Sequence, residues 1–215
     1  IRIDEYAATS LPGLFAAGEC TGGIHGANRL AGTALSENQV FGAIAGRNAA
    51  RFALCGGRRL QAGAGTAVRA VEPVRELLHR SGAAAWGKDA VHPLEGWKRV
   101  QSVMQRLVGP TREEAGLRQA IGLLDAVRDD WDARLAARTP SPSHNRDIAK
   151  ALELRNMADT GWCVAQAAQA RRESRGAHVR LDAPDADAAW TASLVIRRKE
   201  RDAVFDRLER GRGDG

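Results

Sequence analysis

Apolar residues recur at helical spacing through the second half of the chain. Leu117, Ala120, Ile121, Leu124, Val127, Trp131 and Leu135 follow one another at intervals of three, four and seven. They predict one apolar stripe on a helix of about 25 residues. Ile148, Ala151, Leu152, Ala158, Trp162, Ala165 and Ala168 predict a second long helix. A shorter one, Trp97 to Leu107, turns Val100, Val103, Met104 and Leu107 inward and stops at Gly109-Pro110. Thr111 reads as the cap of the next helix, with Glu113 and Glu114 in its first turn. The stretch RTPSPSHN, residues 138–145, separates the two long helices. Short connections favour antiparallel neighbours, so residues 95–185 read as a three-helix bundle. Residues 186–215 read as a strand and a charged tail, with 197–212 as a solvated helix.

The first 55 residues are different, being rich in Gly and Ala and poor in charge. Leu14, Phe15, Ala16, Ala17 and Gly18 read as a short buried strand between Pro12-Gly13 and Gly22-Gly23. After Gly32 the period turns helical. Leu35, Val40, Phe41 and Ile44 give an apolar side, and Gly42 and Gly46 allow close backbone approach. The order is strand, glycine-rich loop, helix. Residues 56–94 read as a linker, including the glycine-rich CGGRRLQAGAGTA, with a short helix. No internal repeat is visible. The fold class expected is mainly α: a remnant of an α/β domain followed by a three-helix bundle.

Composition narrows the function classes. A chain of 215 residues with 44% hydrophobic and 27% charged residues has a globular balance. No apolar run approaches the roughly 18 residues of a membrane span, and the first ten residues lack a signal-peptide pattern. Three widely spaced cysteines without a CxxC pair support neither a zinc ribbon nor a disulfide framework, and fit a reducing, cytoplasmic setting. The five histidines show no metal-ligand spacing. The net charge of +6 admits an anionic partner, but Arg residues interleave with Asp and Glu throughout. With one Tyr and no RNA-binding aromatic motif, nucleic-acid binding is set aside.

The chemistry concentrates in residues 18–32, GECTGGIHGANRLAG, which hold five glycines. In an open parallel sheet, ligands sit beyond the carboxyl ends of the strands, against a helix N-terminus with unpaired N–H groups. Glu19, at the strand tip, suits a ribose or ribityl hydroxyl. Arg29, on the loop, suits a bidentate grip on a carboxylate. A tight structural turn would use the same residue types.

The stretch GLFAAGECTGGIHGANRLAGTALSENQVFGAIAG resembles the second flavin-binding segment of the fumarate reductase/succinate dehydrogenase flavoproteins, the superfamily of L-aspartate oxidase and adenylylsulfate reductase. ELRNMADTGWCVAQAAQARRESRGAHVRLDAPDAD, about 140 residues later, resembles their C-terminal helical domain. The resemblance implies that residues 1–55 are the C-terminal segment of an FAD-binding domain. It implies FAD as cofactor, with Glu19 on a flavin sugar or ribityl hydroxyl and the backbone N–H groups of Ala34 and Leu35 at the flavin pyrimidine edge. Arg29 would bind a substrate carboxylate. Thr33-Ala34-Leu35 stands where the family usually has Asn-Ser-Leu, so a hydroxyl is lost but not the backbone donors. Ser36-Glu37 stands where Leu-Glu is usual.

The GxGxxG fingerprint and the capping domain of such proteins are not in this sequence, so the chain is expected to be the last third or so of a larger flavoprotein. Its implied partners are the upstream flavin-binding and capping portion, a small carboxylate substrate and an iron–sulfur electron-transfer protein. The leading reading is therefore one part of an FAD-dependent oxidoreductase acting on a carboxylate. The competing one is a non-catalytic helical interaction domain with a vestigial flavin segment. No residue is assigned as catalytic and none as a metal ligand. His25 reads as a backbone-bonding loop residue, with an acid as the alternative, Asn28 as a left-handed turn residue, with a ligand contact as second choice, and Cys20 as a small buried filler, with a redox thiol as the alternative. Glu173, Arg175, His178, Arg180 and Asp182 read as an ion-pair network that docks the helical domain onto the flavin domain, with a catalytic cluster as the alternative.

Overall fold

The structure, a computed structural model, describes residues 1–56, 64–82, 89–199 and 202–209. It is mostly helical. The chain divides into two compact units, Ile1–Ala62 and Gly63–Gly215. No helix among the described residues is long and apolar enough to cross a membrane.

In the first unit, helix α1 spans Thr33–Leu54, starting where the glycine-rich run ends. An irregular segment before it packs along the helix. Phe15 meets Phe52 edge to face at 6.2 Å, and the Asn48 side chain donates to the Tyr6 carbonyl at 3.0 Å. The strand expected at residues 14–18 is not formed. Its one pairing is a single antiparallel bridge, Ala8 to Phe15, and Leu14 is exposed. An apolar run becomes a strand only beside neighbours that pair its backbone, and one bridge is not a ladder. The apolar side expected of α1 is also not buried: Leu35 and Val40 are exposed, and nothing lies within 4 Å of a Cβ placed at Gly42 or Gly46.

The second unit contains α2 (Ala64–His79), α3 (Pro93–Leu107), α4 (Glu114–Ala133) and α5 (Arg146–Ala170). Helices α3, α4 and α5 share one core. Leu117, Ala120, Leu124, Val127 and Trp131 of α4 meet Val100 and Val103 of α3 and Ala151, Ala158, Trp162, Ala165 and Ala168 of α5. Leu77 of α2 joins the same core. The predicted stripes therefore face inward, with one exchange on α5: Leu152 is exposed and Leu154 is buried. Asn145 caps α5, its side-chain oxygen accepting from the Asp147 and Ile148 N–H groups. His92 caps α3, with Pro93 at the first helical position. Helices α3 and α5 approach closely at two glycines. A Cβ on Gly96 would stand 2.4 Å from Leu154 Cδ2, and one on Gly161 would stand 2.9 Å from Met104 Sδ.

Two expectations fail here. Thr111 does not cap α4. It lies with Arg112 in a two-residue strand, β1, that pairs in parallel with β2 (Val179–Arg180), and Glu113 occupies the N-cap position. The backbone groups of residues 110–112 are taken by that pairing: Pro110 O accepts from Val179 N–H and Arg112 O from Leu181 N–H. The charged helix expected from residue 197 onward is instead an antiparallel hairpin, β3 (Ala192–Lys199) with β4 (Asp202–Glu209), in which Ile196 stands opposite Phe205. Val195, Ile196, Val204 and Phe205 favour a pleated strand, and charges on facing strands pair, Arg197 with Asp206. Residues 200–201 and 210–212 of that expectation, and residues 57–63 and 83–88 of the expected linker, lie outside the described residues.

The glycine contacts give a paired prediction. Gly96→Ala gains about 1 kcal/mol of helix propensity but must displace a buried Leu, an overpacking cost of about 1–3 kcal/mol. Gly122 of α4 has nothing within 4 Å of its Cβ position, so Gly122→Ala should gain about 0.5–1 kcal/mol. Urea unfolding of the chain should show the first variant less stable and the second more stable than the parent.

Candidate functional site

In the first unit the glycine-rich loop, residues 18–32, leads into the N-terminus of α1. Gly32 caps that helix in the left-handed region (φ 87°), and no side chain caps it. Thr33 N–H reaches Leu30 O at 3.4 Å and Leu35 N–H reaches Gly32 O at 3.3 Å, both long bonds. The Ala34 N–H has no backbone partner among the described residues. Nothing lies within 4 Å of where a Cβ would stand on Gly22, Gly23 or Gly32, so one face of the loop is open. The helix thus presents backbone donors and its positive dipole end to that open face.

Glu19 and Arg29 come together. Arg29 Nη1 donates to Glu19 Oε2 at 2.6 Å, and both side chains are well exposed. An exposed pair of this kind is worth about 0–1 kcal/mol, so either partner is easily exchanged for a ligand group. His25 does not bond backbone. Its Nε2 lies 2.8 Å from Glu37 Oε2, and Thr21 Oγ1 lies 3.2 Å from Glu37 Oε1. The His25 bond holds the Glu37 carboxyl below its ordinary value, against the burial that pushes it up, and Thr21 adds to the lowering. Glu37 is the residue that sequence reasoning misses. The sequence shows it only beside a departure from a family pattern, and a carboxylate on a helix ordinarily faces solvent. Cys20 is exposed rather than buried. Asn28 is not in the left-handed region, where the neighbouring Gly26 is, at φ 69°. Glycine takes that conformation without a steric cost, so Asn28 is not needed for it.

A second polar cluster lies wholly within the second unit. The Arg180 guanidinium is buried. Its Nη1 donates to the carbonyls of Ala168 (2.9 Å), Gln169 (3.2 Å) and Arg171 (3.3 Å), the unpaired carbonyl end of α5. Its other nitrogens grip Asp182 at 2.8 and 2.6 Å and Glu114 at 3.1 Å. A cation therefore closes a helix C-terminus, the favourable sign. Arg180 holds Asp182 at about 2. Glu173, fully buried, accepts from Arg175 through two nitrogens, from Arg171 and from the Asp187 N–H. Burial pushes its carboxyl up, but those bonds outweigh it and hold it at about 2. Burial lowers His178, whose Nε2 sits 3.1 Å from Arg171 O. Each charge is answered inside the cluster, and every bond named joins residues of Gly63–Gly215, so the network ties α4, α5 and the segment 171–187 together.

A family model for the fumarate reductase flavoprotein C-terminal region matches residues 97–208, more than half of the chain. The chain belongs to that family. A model for an FAD-binding domain matches residues 1–35, and FAD is the cofactor of this flavoprotein. The chain is 35% identical over 207 residues to one of the subunits of the fumarate reductase (CoM/CoB) of Methanothermobacter marburgensis, covering 93% of this chain and 34% of that protein. It is 33% identical over 209 residues to an uncharacterized FAD-dependent oxidoreductase of Methanocaldococcus jannaschii, covering 97% of this chain and 35% of that protein. The solved structure of Mycobacterium smegmatis Sdh1 in complex with UQ1 superposes with a TM-score of 0.83 at 34% identity, covering 97% of this chain and 34% of that one. The chain spans about a third of the length of the curated relatives it matches.

The residues present fit one edge of a flavin. The open glycine face admits a planar ring, the uncapped α1 end supplies donors to an electron-rich edge, and the exposed Glu19 carboxylate can accept from a hydroxyl.

The charge network carries a pH prediction. Glu173 is held well below the ordinary carboxylate range, so its contribution is complete above about pH 4.5 and is lost as pH falls toward 2. Glu173→Gln strands two arginines and should cost about 3 kcal/mol at pH 7. It should also flatten the dependence of stability on pH between 4.5 and 2, read from urea midpoints across that window.

Proposed function

We propose that this chain supplies one wall of the active site of an FAD-dependent oxidoreductase acting on a small carboxylate, with succinate- or fumarate-like hydride transfer as the reaction. The observation that carries it is an uncapped helix N-terminus beside an open glycine loop that bears Arg29, inside the segment that matches an FAD-binding domain. Bound FAD supplies the hydride donor and acceptor. Arg29 orients the substrate, its two parallel N–H groups holding a carboxylate so that the adjacent carbon pair faces the flavin. Glu19 accepts from a sugar or ribityl hydroxyl. The Ala34 N–H, and more weakly that of Leu35, stabilises negative charge at the pyrimidine edge.

On this reading residues 1–55 close an FAD-binding domain whose remainder, with a capping portion, is supplied by the same flavoprotein. Residues 56–94 link it to a three-helix bundle at 95–185 that serves as a rigid base, and the β3–β4 pair follows the bundle. An iron–sulfur protein fits as the electron-transfer partner, and the three cysteines, none in a disulfide, suit a cytoplasmic setting.

In the complete flavoprotein, Arg29→Lys should keep its flavin and lose turnover roughly thirty- to a thousandfold. An ammonium cannot reproduce a bidentate grip, and one charge-assisted contact in a closed site is worth about 2–4 kcal/mol. Glu19→Gln should show the reverse, with lower flavin retention and near-normal turnover per bound flavin. Flavin absorbance and steady-state rates measured on both variants check this. Wild-type turnover in Arg29→Lys would remove that residue from substrate binding.

A further inference from the structure

The residue that α1 shields from solvent is a carboxylate. Glu37 is 6% exposed, whereas Leu35 and Val40 of the same helix are 74% and 55% exposed. A buried carboxylate is costly unless its oxygens are bonded, and here both are. His25 Nε2 approaches Oε2 at 2.8 Å and Thr21 Oγ1 approaches Oε1 at 3.2 Å. A bond to a carboxylate requires the His25 proton on Nε2. The Thr21 hydroxyl also reaches Gly18 O at 2.8 Å, so its one proton serves both acceptors.

Both partners come from the glycine loop, 16 and 12 residues before Glu37 in sequence. They bracket Gly22 and Gly23, around whose Cβ positions the space is empty. The loop's backbone is bonded in its first part, Thr21 N–H to Gly18 O and Gly22 N–H to Ile1 O, while Gly23 and Gly26 beyond it lie in the left-handed region (φ 98° and 69°). The carboxylate of α1 constrains the loop beyond Gly22, through His25. Arg29 follows His25 by four residues along the same loop, and its charge is felt at Glu37.

We infer that Glu37 is a positioning residue: through its bonds to His25 and Thr21 it sets where the loop presents Arg29 to a substrate carboxylate, without touching the substrate itself. The inference rests on the reading of Arg29 as the carboxylate ligand. Cutting the Glu37 bonds frees the loop, and its ordering must then be drawn from the binding energy of each carboxylate.

The test uses the complete flavoprotein and malonate as a non-reacting dicarboxylate probe, titrated through the absorbance of the bound flavin. Flavin content and thermal midpoint are measured alongside. Glu37→Ala should weaken malonate binding about tenfold in the folded, flavin-loaded fraction. Glu37→Gln, whose amide oxygen still accepts from His25 Nε2–H, should stay within about threefold of wild type. His25→Ala cuts the same bond from the other side and should match Glu37→Ala, with the double variant no weaker than either. It also carries the test if Glu37→Ala does not fold. A merely structural carboxylate would move the thermal midpoint and flavin content while leaving the malonate affinity of the loaded fraction unchanged. That result, in a protein where Arg29→Lys does weaken malonate binding, overturns the inference. Unchanged malonate affinity in Arg29→Lys instead overturns the reading of Arg29 and the inference with it.

Discussion

Every helix leaves backbone groups unpaired at its two ends, and this chain treats two such ends in opposite ways. At the C-terminus of α5 the buried Arg180 guanidinium takes three carbonyls while it grips Asp182. A cation thereby closes a negative helix end. At the N-terminus of α1 the cap is a glycine without a side chain to offer, and the donors are left to an open face. The first arrangement uses helix-end chemistry for stability. The second leaves its donors unpaired, and the proposed function gives them to an electron-rich ligand.

Buried charge follows the same division. In the second unit the charges of Glu173, Arg175, Arg180 and Asp182 are bonded to one another or to backbone. In the first unit the buried charge, Glu37, is bonded to a loop that carries an exposed guanidinium. The chain's membership of the fumarate reductase flavoprotein C-terminal family agrees with the stable element, and the FAD-binding match agrees with the open one.

The helical core is readable from spacing because a helix buries residues by period. Six of the seven α5 positions named from the pattern are buried, and Leu154, three residues after Ala151 and four before Ala158, takes the place on the same face that Leu152 was expected to fill. What period cannot show is where backbone hydrogen bonds go. Residues 14–18 have the apolar run of a strand but pair through one bridge, and Thr111 has the chemistry of a cap but is drawn into a ladder with Val179. The β3–β4 pair is hidden from a reading by charge, because flanking charged residues mask the short runs Leu194-Val195-Ile196 and Val204-Phe205. Glu19, Arg29, Ala34 and Leu35 are proposed for the site from a motif. Glu37 is not, since its burial comes from a loop that folds back on it, and no local pattern marks a carboxylate as buried.

The proposal that the α1 N-terminus faces the flavin is tested most directly by the position of that cofactor in a crystal structure of the complete flavin-loaded protein. The Ala34 backbone N–H should lie within about 3.2 Å of an oxygen or nitrogen on the pyrimidine edge of the ring, with Glu19 at a hydroxyl of the same cofactor. A flavin bound elsewhere, with the Ala34 N–H meeting only water or protein, would contradict it.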